Sequence, residues 1–250
     1  MICEDEHLTE INHGLRLIQK KDGLTFGTDA YLLSAFVKKS PRTRAADLGS
    51  GTGILPLLLL QNEKIASCDA IEIQPDFVSL IERNAAINRF SEKLHAVEAD
   101  VRSLPESLTP GSYGLVISNP PYMKTSGKPN ESERRGIARH ELFGSIDDFV
   151  SAAARLLKHG GTFDAVYRPD RLIDLLDALR RHRLEPKKMT FVHARRTSEP
   201  SLVLIEAKKG GAAGLTVTRP LILYKSGTTY TEDLTLIYER GNFDEFAKRS

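Results

Sequence analysis

The sequence predicts an α/β fold built on a doubly wound, mostly parallel seven-stranded sheet with helices on both faces. Short runs of β-forming apolar residues alternate with helical patterns through most of the chain. A glycine-rich turn joins one of the first strands to the helix after it, as in α/β folds that bind nucleotides. The chain has 250 residues, a length that suits one large domain.

The elements are expected in the following order. The polar segment 1–22 contains one short strand, Leu15–Gln19, and a helix follows Gly27-Thr28-Asp29 with Thr28 or Asp29 as its N-cap. The remaining strands are expected at 45–48, 68–73, 95–98, 115–118, 162–167, 189–194 and 201–207, and the remaining helices at 54–60, 77–88, 146–158 and 170–182. Residues 124–141 and 208–214 interrupt this alternation and are expected as a loop and a bend.

These elements indicate a single domain, 1–250. We divide it into an N-terminal cap segment (1–40), a catalytic core (41–210) and a C-terminal extension (211–250) that mixes β-forming residues with Lys and Thr.

Composition excludes several classes of protein. The chain is 40% hydrophobic and 27% charged, and its longest apolar run, Ile54–Leu60, is far shorter than the roughly 20 residues of a membrane helix. The first residues lack an apolar signal segment, so we expect a cytoplasmic protein with no membrane partner. Cys3 and Cys68 form no metal-binding pattern, so neither a metal site nor a disulfide is expected. The net charge of +2 permits a nucleic-acid partner without requiring one.

The segment Asp47-Leu48-Gly49-Ser50-Gly51-Thr52-Gly53 lies between a strand and a helix, where glycines allow a tight turn and close approach of a ligand. Glu72, followed by Ile73, ends the next strand and could accept hydrogen bonds from ribose hydroxyls. A dinucleotide-binding fold would use a similar turn, and a glycine turn without a ligand is a further alternative.

Asp47 favours a different cofactor, because a carboxylate beside the glycines would repel a pyrophosphate. It suits a ligand with a positive amino group, and methionine-type cofactors carry one together with a sulfonium cation. Asp100-Val101 ends the third core strand, where Asp100 could accept from an adenine amino group or could cap a turn.

The most specific pattern is Asn119-Pro120-Pro121-Tyr122, directly after a buried strand. The prolines make the turn rigid and remove two N–H donors, so the turn presents the Asn119 side-chain carbonyl and the Pro120 main-chain carbonyl as acceptors. Two acceptors can hold both hydrogens of an exocyclic amino group while its nitrogen attacks a methyl group. Tyr122 offers a flat face for a planar substrate, which could be adenine, cytosine, guanine or a glutamine side chain.

These motifs resemble those of the class I S-adenosylmethionine methyltransferases, in particular the Asn-Pro-Pro-Tyr amino-methyltransferase group. The resemblance implies a Rossmann-like fold and catalysis by Asn119, Pro120, Pro121 and Tyr122, without a metal. The implied cofactor contacts are Thr28, Asp47, Gly49, Ser50, Gly51, Gly53, Glu72, Ile73, Asp100, Val101 and Asn119.

A closer resemblance is to the bacterial family that methylates adenine N6 beside the anticodon of valine tRNA. It is carried by Phe26–Ala30 with Leu32-Leu33, by Asn130, Arg134-Arg135 and Ile137–Glu141, by Leu156–Lys158 with Gly160-Gly161, and by Tyr224, Tyr230-Thr231 and Tyr238. It implies a tRNA anticodon loop as the substrate and no obligate protein partner.

Basic residues after the catalytic turn agree with an RNA substrate. Phosphate contacts are expected from Lys124, Lys128, Arg134, Arg135, Arg139 and His140. A further set could extend this track or could simply be solvated: Arg171, Arg180, Arg181, Arg183, Arg195 and Arg196.

Three alternatives remain. A glutamine N5-methyltransferase acting on release factors shares the Asn-Pro-Pro-Tyr motif, although that family usually has a helical domain before the glycine turn. A non-catalytic RNA-binding module on the same fold would tend to lose one of the two motifs, and both are intact here. An NAD-linked oxidoreductase is less favoured, since no tyrosine–lysine or histidine proton relay stands out.

Overall fold

The computed structural model describes residues 2–11, 14–21, 27–120 and 143–248. Its strands are β1 (Glu6–Ile11), β2 (Leu15–Lys20), β3 (Arg44–Leu48), β4 (Ser67–Glu72), β5 (Leu94–Glu98), β6 (Tyr113–Ser118), β7 (Leu157–Tyr167), β8 (Leu184–His193), β9 (Pro200–Lys209), β10 (Thr216–Val217), β11 (Leu221–Ile222), β12 (Tyr224–Ser226) and β13 (Thr229–Tyr230). Its helices are α1 (Thr28–Phe36), α2 (Ile54–Gln61), α3 (Pro75–Ile87), α4 (Ile146–Leu156), α5 (Leu172–Arg181), α6 (Glu232–Arg240) and α7 (Asp244–Lys248).

One sheet with the strand order β10-β8-β9-β7-β6-β3-β4-β5 forms the centre of the fold, and β11 also pairs with β8. The strands from β7 through β6, β3 and β4 to β5 are parallel, whereas β9 is antiparallel to both β7 and β8. Separate buried clusters cover the two faces, one containing α1 and α2 and the other containing α4 and α5. This arrangement confirms the predicted doubly wound, mostly parallel α/β fold.

The strand count differs from the prediction, because the sheet has nine strands instead of seven. All seven predicted strands are present, and the two additional ones, β10 and β11, are two-residue strands that pair parallel with β8. A two-residue strand is too short to produce an alternating pattern in the sequence. The predicted strand at 15–19 is also one half of a hairpin, since β1 pairs with it antiparallel along its whole length.

One predicted helix ends earlier than expected, and one helix was not predicted. The helix expected to reach Lys158 ends at Leu156, and the chain passes directly into β7, because Leu157 pairs with Tyr113 of β6. The tail rich in β-forming residues contains helix α6, where the Thr231 hydroxyl caps the helix by accepting from the Leu234 N–H. No helix in the described ranges is both long and apolar enough to cross a membrane.

The C-terminus of α1 is held by a buried lysine. Lys64 is 3% exposed, and its ammonium group donates to the main-chain carbonyls of Ser34, Ala35 and Val37 at 2.7, 2.9 and 2.7 Å. Carbonyls in the last turn of a helix have no partner within the helix, so Lys64 satisfies groups that would otherwise be buried without hydrogen bonds.

We therefore predict that Lys64→Met lowers the free energy of unfolding by about 2–4 kcal/mol, because it leaves several carbonyls buried and unpaired. Urea denaturation followed by circular dichroism measures this. Lys39→Met is the matched control: Lys39 is exposed, 3.7 Å from Glu63, and its loss is expected to change stability by less than about 0.5 kcal/mol. Equal stability of the two variants would contradict the role assigned to Lys64.

Candidate active site

The candidate site lies where the chain reverses the direction in which it adds strands to the sheet. From β3 the chain builds β4 and β5 on one side, and β6 then pairs with β3 on the other side. In open α/β sheets, ligands bind in the crevice beyond the carboxyl ends of the strands at such a point. Asp47 lies at the carboxyl end of β3 and Asn119 directly follows β6, so the fold brings the two sequence motifs to the same crevice.

The glycine turn after β3 has three residues in the left-handed region, Gly49, Gly51 and Gly53, with φ of 72°, 55° and 79°. A Cβ at Gly49 would lie 3.2 Å from the ring of Phe149, and one at Gly53 would lie 3.3 Å from Ile81. Nothing described lies within 4 Å of the corresponding position at Gly51. Gly49 and Gly53 are therefore required by packing as well as by φ, whereas Gly51 leaves open space in which a ligand can approach the backbone.

Asp47 is buried with no exposed surface, and neither of its carboxylate oxygens has a hydrogen-bond partner within the described part of the chain. Burial, together with the nearby charge of Glu72, raises the pKa of Asp47 to about 7. The Ser50 hydroxyl donates instead to the Asp47 main-chain carbonyl at 3.0 Å. A buried carboxylate in this state would gain a partner from any ligand that brings a cationic donor.

Glu72, at the end of β4, holds the glycine turn. Its carboxylate accepts from the Gly51 N–H at 2.9 Å and from the Gln74 N–H at 3.0 Å. The side chain is 5% exposed. The sequence predicted Glu72 only as a ribose acceptor, and the contact with Gly51 is an additional structural role. Ile73 follows it and is half-buried.

Asp100 is engaged by its neighbour Arg102. The Arg102 main-chain N–H donates to Asp100 Oδ1 at 2.8 Å, and the guanidinium group contacts both carboxylate oxygens at 2.5–3.0 Å. These hydrogen bonds lower the pKa of Asp100 below its usual value. Asp100 therefore caps a turn, which is one of the two alternatives that the sequence allowed. A contact of Asp100, or of the buried Val101, with an adenine stays a prediction.

Asn119 contacts an acidic residue that lies 90 positions earlier in the chain. Its side-chain Nδ2 donates to Asp29 Oδ2 at 3.0 Å. The other oxygen of Asp29 accepts from the Ala30 N–H at 2.9 Å. The N-cap of α1 is Gly27, so the expectation of Thr28 or Asp29 was wrong, because the Asp29 side chain is directed to Ala30 and Asn119.

Asp29 is the site residue that the sequence did not single out. The Gly27-Thr28-Asp29 segment is predicted as a helix start, and its resemblance to amino-methyltransferases implies a place beside the methionine end of the cofactor. Nothing in a single sequence indicates which distant side chain an acidic residue will meet. Thr28, expected to contact the cofactor, lies near the Tyr238 side chain of α6, whose pKa burial raises and Thr28 lowers to a smaller extent. Whether it also contacts a cofactor stays a prediction.

Pro120 is buried at the start of the proline turn. The remaining predicted site residues lie outside the described residues, within 121–142: Pro121, Tyr122, Lys124, Lys128, Arg134, Arg135, Arg139 and His140. Their catalytic and RNA-binding roles stay predictions.

The additional arginines are of two kinds. Arg171 pairs with Asp174, Arg180 with Glu185, and Arg181 with Asp147 and Asp177. Arg183, Arg195 and Arg196 are exposed, and the described residues provide no ion pair for any of them. The helix arginines therefore have carboxylate partners within the protein, as expected for a solvated face.

Residues 20–182 match the family model described as the methyltransferase small domain. Two proteins called tRNA1(Val) (adenine(37)-N6)-methyltransferase are similar along most of their length. The one from Phocaeicola vulgatus is 31% identical over 73% of this chain and 76% of its own, and the one from Aeromonas hydrophila is 30% identical over 74% and 76%. A crystal structure of a predicted O-methyltransferase from Agrobacterium tumefaciens shares the fold, with a TM-score of 0.70 and 24% identity over 86% of this chain and 97% of that one.

The raised pKa of Asp47 predicts a specific pH dependence of stability. In the unfolded chain the carboxyl group ionises near pH 4, whereas in the folded protein it ionises near pH 7, so ionisation between these values favours unfolding. Asp47→Asn is neutral at every pH and escapes this penalty. Relative to the wild type, the variant should therefore gain about 2–3 kcal/mol in unfolding free energy between pH 5 and pH 8.

Urea denaturation of both proteins without ligand at several pH values measures this gain. Asp76→Asn is the control, because Asp76 is exposed in the first turn of α3 and water still solvates its carboxylate. A difference between Asp47→Asn and wild type that does not change with pH would show that burial does not perturb Asp47.

Proposed function

The chain belongs to the methyltransferase small-domain family and to the tRNA1(Val) (adenine(37)-N6)-methyltransferases, and on this premise we propose its reaction. It transfers a methyl group from S-adenosylmethionine to the exocyclic N6 of an adenine in the anticodon loop of a tRNA. The observation that carries the proposal is the hydrogen bond between Asn119 and Asp29, at the carboxyl end of the strand beside Asp47.

The glycine turn and its surroundings fit this cofactor. Bound S-adenosylmethionine supplies a methyl group activated by a sulfonium cation. Asp47 would accept from the amino group of the methionine portion, since its carboxylate oxygens have no other partner among the described residues. The open space at Gly51 admits a ligand to the backbone, and Glu72 retains acceptor capacity for the ribose beyond its two main-chain contacts.

Asn119 orients the amino group that is methylated. An amide group is planar, so the hydrogen bond that fixes Nδ2 on Asp29 also fixes the direction of Oδ1. We assign to Asn119 Oδ1 and to the Pro120 main-chain carbonyl the acceptance of the two N6 hydrogens. Holding both hydrogens turns the nitrogen lone pair towards the methyl group, which is catalysis by positioning.

Asp29 determines which way the Asn119 amide faces. As a carboxylate, Asp29 offers only acceptors, so it pairs with the NH₂ side of the amide and not with the carbonyl side. Were the amide reversed, it would present donors to an amino group that itself needs acceptors. Asp29 is therefore a positioning residue.

A transfer assay with labelled S-adenosylmethionine tests the proposed function. Bulk tRNA, ribosomal RNA, DNA and release-factor protein are offered in parallel, and labelled RNA is digested to nucleosides. We expect label in tRNA as N6-methyladenosine. Asn119→Ala should reduce turnover by about 100- to 1,000-fold and leave cofactor affinity within a few-fold.

Label in the protein fraction alone would replace the tRNA by a glutamine side chain and keep the cofactor chemistry. Full activity of Asn119→Ala would remove the role given to its amide. Absence of transfer to every acceptor, with the cofactor bound, would favour the non-catalytic RNA-binding module.

For Asp29 we predict that Asp29→Asn lowers kcat by about 10- to 100-fold and changes the KM for tRNA much less, because the Asn119 amide loses its fixed orientation while the RNA contacts persist. Steady-state kinetics with tRNA separates the two constants. Asp174→Asn is the matched control: Asp174 also lies in the first turn of a helix but pairs with the exposed Arg171, and we expect unchanged kinetics. An unchanged kcat in Asp29→Asn would show that Asp29 does not position Asn119 and serves only as a contact within its own helix.

A further inference from the structure

We propose that the β12–β13 hairpin and the neighbouring connection between β8 and β9 form a second RNA-contacting surface. In it, Tyr230 stacks on an unpaired nucleotide beside the target adenine, and Arg195, Arg196 and Lys225 bind the adjoining phosphates. The inference rests on the proposed function and specifies which part of the protein, apart from the catalytic turn, holds the RNA.

The first observation is a continuous series of tyrosine rings. Tyr224 and Tyr230 face each other across the hairpin with ring centroids 5.6 Å apart. Tyr230 stacks on Tyr238 of α6 at 5.5 Å with an interplanar angle of 25°, and Tyr238 contacts Tyr31 of α1 at 4.5 Å. Tyr230 lies between Tyr224 and Tyr238 in this series and is 45% exposed.

Within the described ranges, Tyr230 is the only aromatic side chain among the exposed large hydrophobic residues. Its ring is already stacked on one side by Tyr238, which restricts its motion before any ligand arrives. A preorganised and partly exposed aromatic ring is the usual platform on which a nucleobase stacks, whatever the base.

The second observation is positive charge around the hairpin that the protein does not neutralise. Arg195 donates through Nη2 to the Gly227 carbonyl at 3.2 Å, which places its guanidinium group at the hairpin tip. Arg196 is the next residue, and Lys225 lies within β12 between the paired residues Tyr224 and Ser226. All three cations are exposed, and the described residues contain no carboxylate within ion-pair distance of any of them.

This charge distribution favours a polyanion as the occupant. The arginines on and before α5 are exposed as well, but they are paired with Asp and Glu side chains. Cations with no carboxylate partner among the described residues, beside an exposed aromatic ring, match the phosphates and unstacked bases of single-stranded RNA. A protein partner would more commonly meet a mixture of both charges, so we commit to RNA.

The third observation connects this surface to the catalytic turn. The Tyr31 hydroxyl donates to the Tyr238 main-chain carbonyl at 3.0 Å, which connects the tyrosine series to α1. Asp29, in the first turn of the same helix, holds Asn119. A base must leave its stack to reach a methyl donor, and its neighbours in a loop then expose their faces. Tyr230 is placed, through these contacts, to receive such a neighbour.

The test compares tRNA binding by the full-length chain and its variants over a series of salt concentrations, with cofactor affinity as a control for folding. Tyr230→Ala should weaken tRNA binding by about 5- to 100-fold, whereas Tyr230→Phe, which keeps the ring, should stay within about two-fold of wild type. Replacing Arg195, Arg196 and Lys225 together by alanine should reduce the slope of log affinity against log salt by about two to three units.

The matched control replaces Arg171, Arg180 and Arg181 together by alanine, which removes three exposed arginines with carboxylate partners, and we expect the slope to be unchanged. If the wild type methylates tRNA while the Tyr230 and hairpin variants bind tRNA as it does, the surface is wrong and the proposed function stands. If the wild type labels only a protein, the proposed function is wrong and the RNA surface with it. Equal losses in the hairpin and control triple variants would show a general charge effect and would also overturn the assignment.

Discussion

The hydrogen bond between Asn119 and Asp29 requires two distant parts of the chain to be held rigidly at the same point. Asn119 is placed by β6, whose last residue, Ser118, donates through its hydroxyl to the Leu48 carbonyl of β3 at 2.8 Å. Asp29 is placed by α1, which Lys64 anchors at one end and Tyr238 contacts near the other. In the proposed reaction the cap segment and the C-terminal extension would therefore both affect catalysis, because both determine where the first turn of α1 lies.

The same crevice concentrates negative charge that is poorly solvated. Asp47 and Glu72 end neighbouring parallel strands and are both buried, and the charge of Glu72 adds to the desolvation of Asp47. Glu72 offsets its own burial through two main-chain N–H groups, whereas Asp47 has no comparable donor among the described residues. Burial of the ionised Asp47 carboxylate destabilises the folded protein as long as no ligand is bound. A ligand with a cationic group would relieve this cost, and a ligand without one would not, so the site favours the cationic ligand.

The sequence predicted what depends on local patterns and missed what depends on distant contacts. The seven principal strands follow from the periodicity of apolar residues, and the glycine turn follows from backbone positions that favour glycine. Strands β10 and β11 have two residues each and exist because β8 offers them an unpaired edge. In α6, the single Thr231 cap and burial of Leu234 and Ile237 outweigh the β-propensity of the tail. The role of Asp29 depends on a partner 90 residues away. For Asp100 the local contact with Arg102 is the turn cap that the sequence had kept as one of two alternatives.

The net charge of the sequence does not show which basic residues are available to bind RNA. A net charge of +2 hides the fact that the described arginines divide into those with carboxylate partners and those without. Only the second group can neutralise phosphates without first giving up an internal partner, so the count of basic residues overestimates the RNA-binding surface. The cations at the β12–β13 hairpin lie near Tyr230, which stacks on Tyr238, and Tyr238 in turn contacts Tyr31 of α1. The same helix carries Asp29, which contacts Asn119. In the proposed reaction, binding of a flanking nucleotide at Tyr230 and orientation of the Asn119 amide would both depend on α1, which would couple recognition of the RNA to the geometry of methyl transfer.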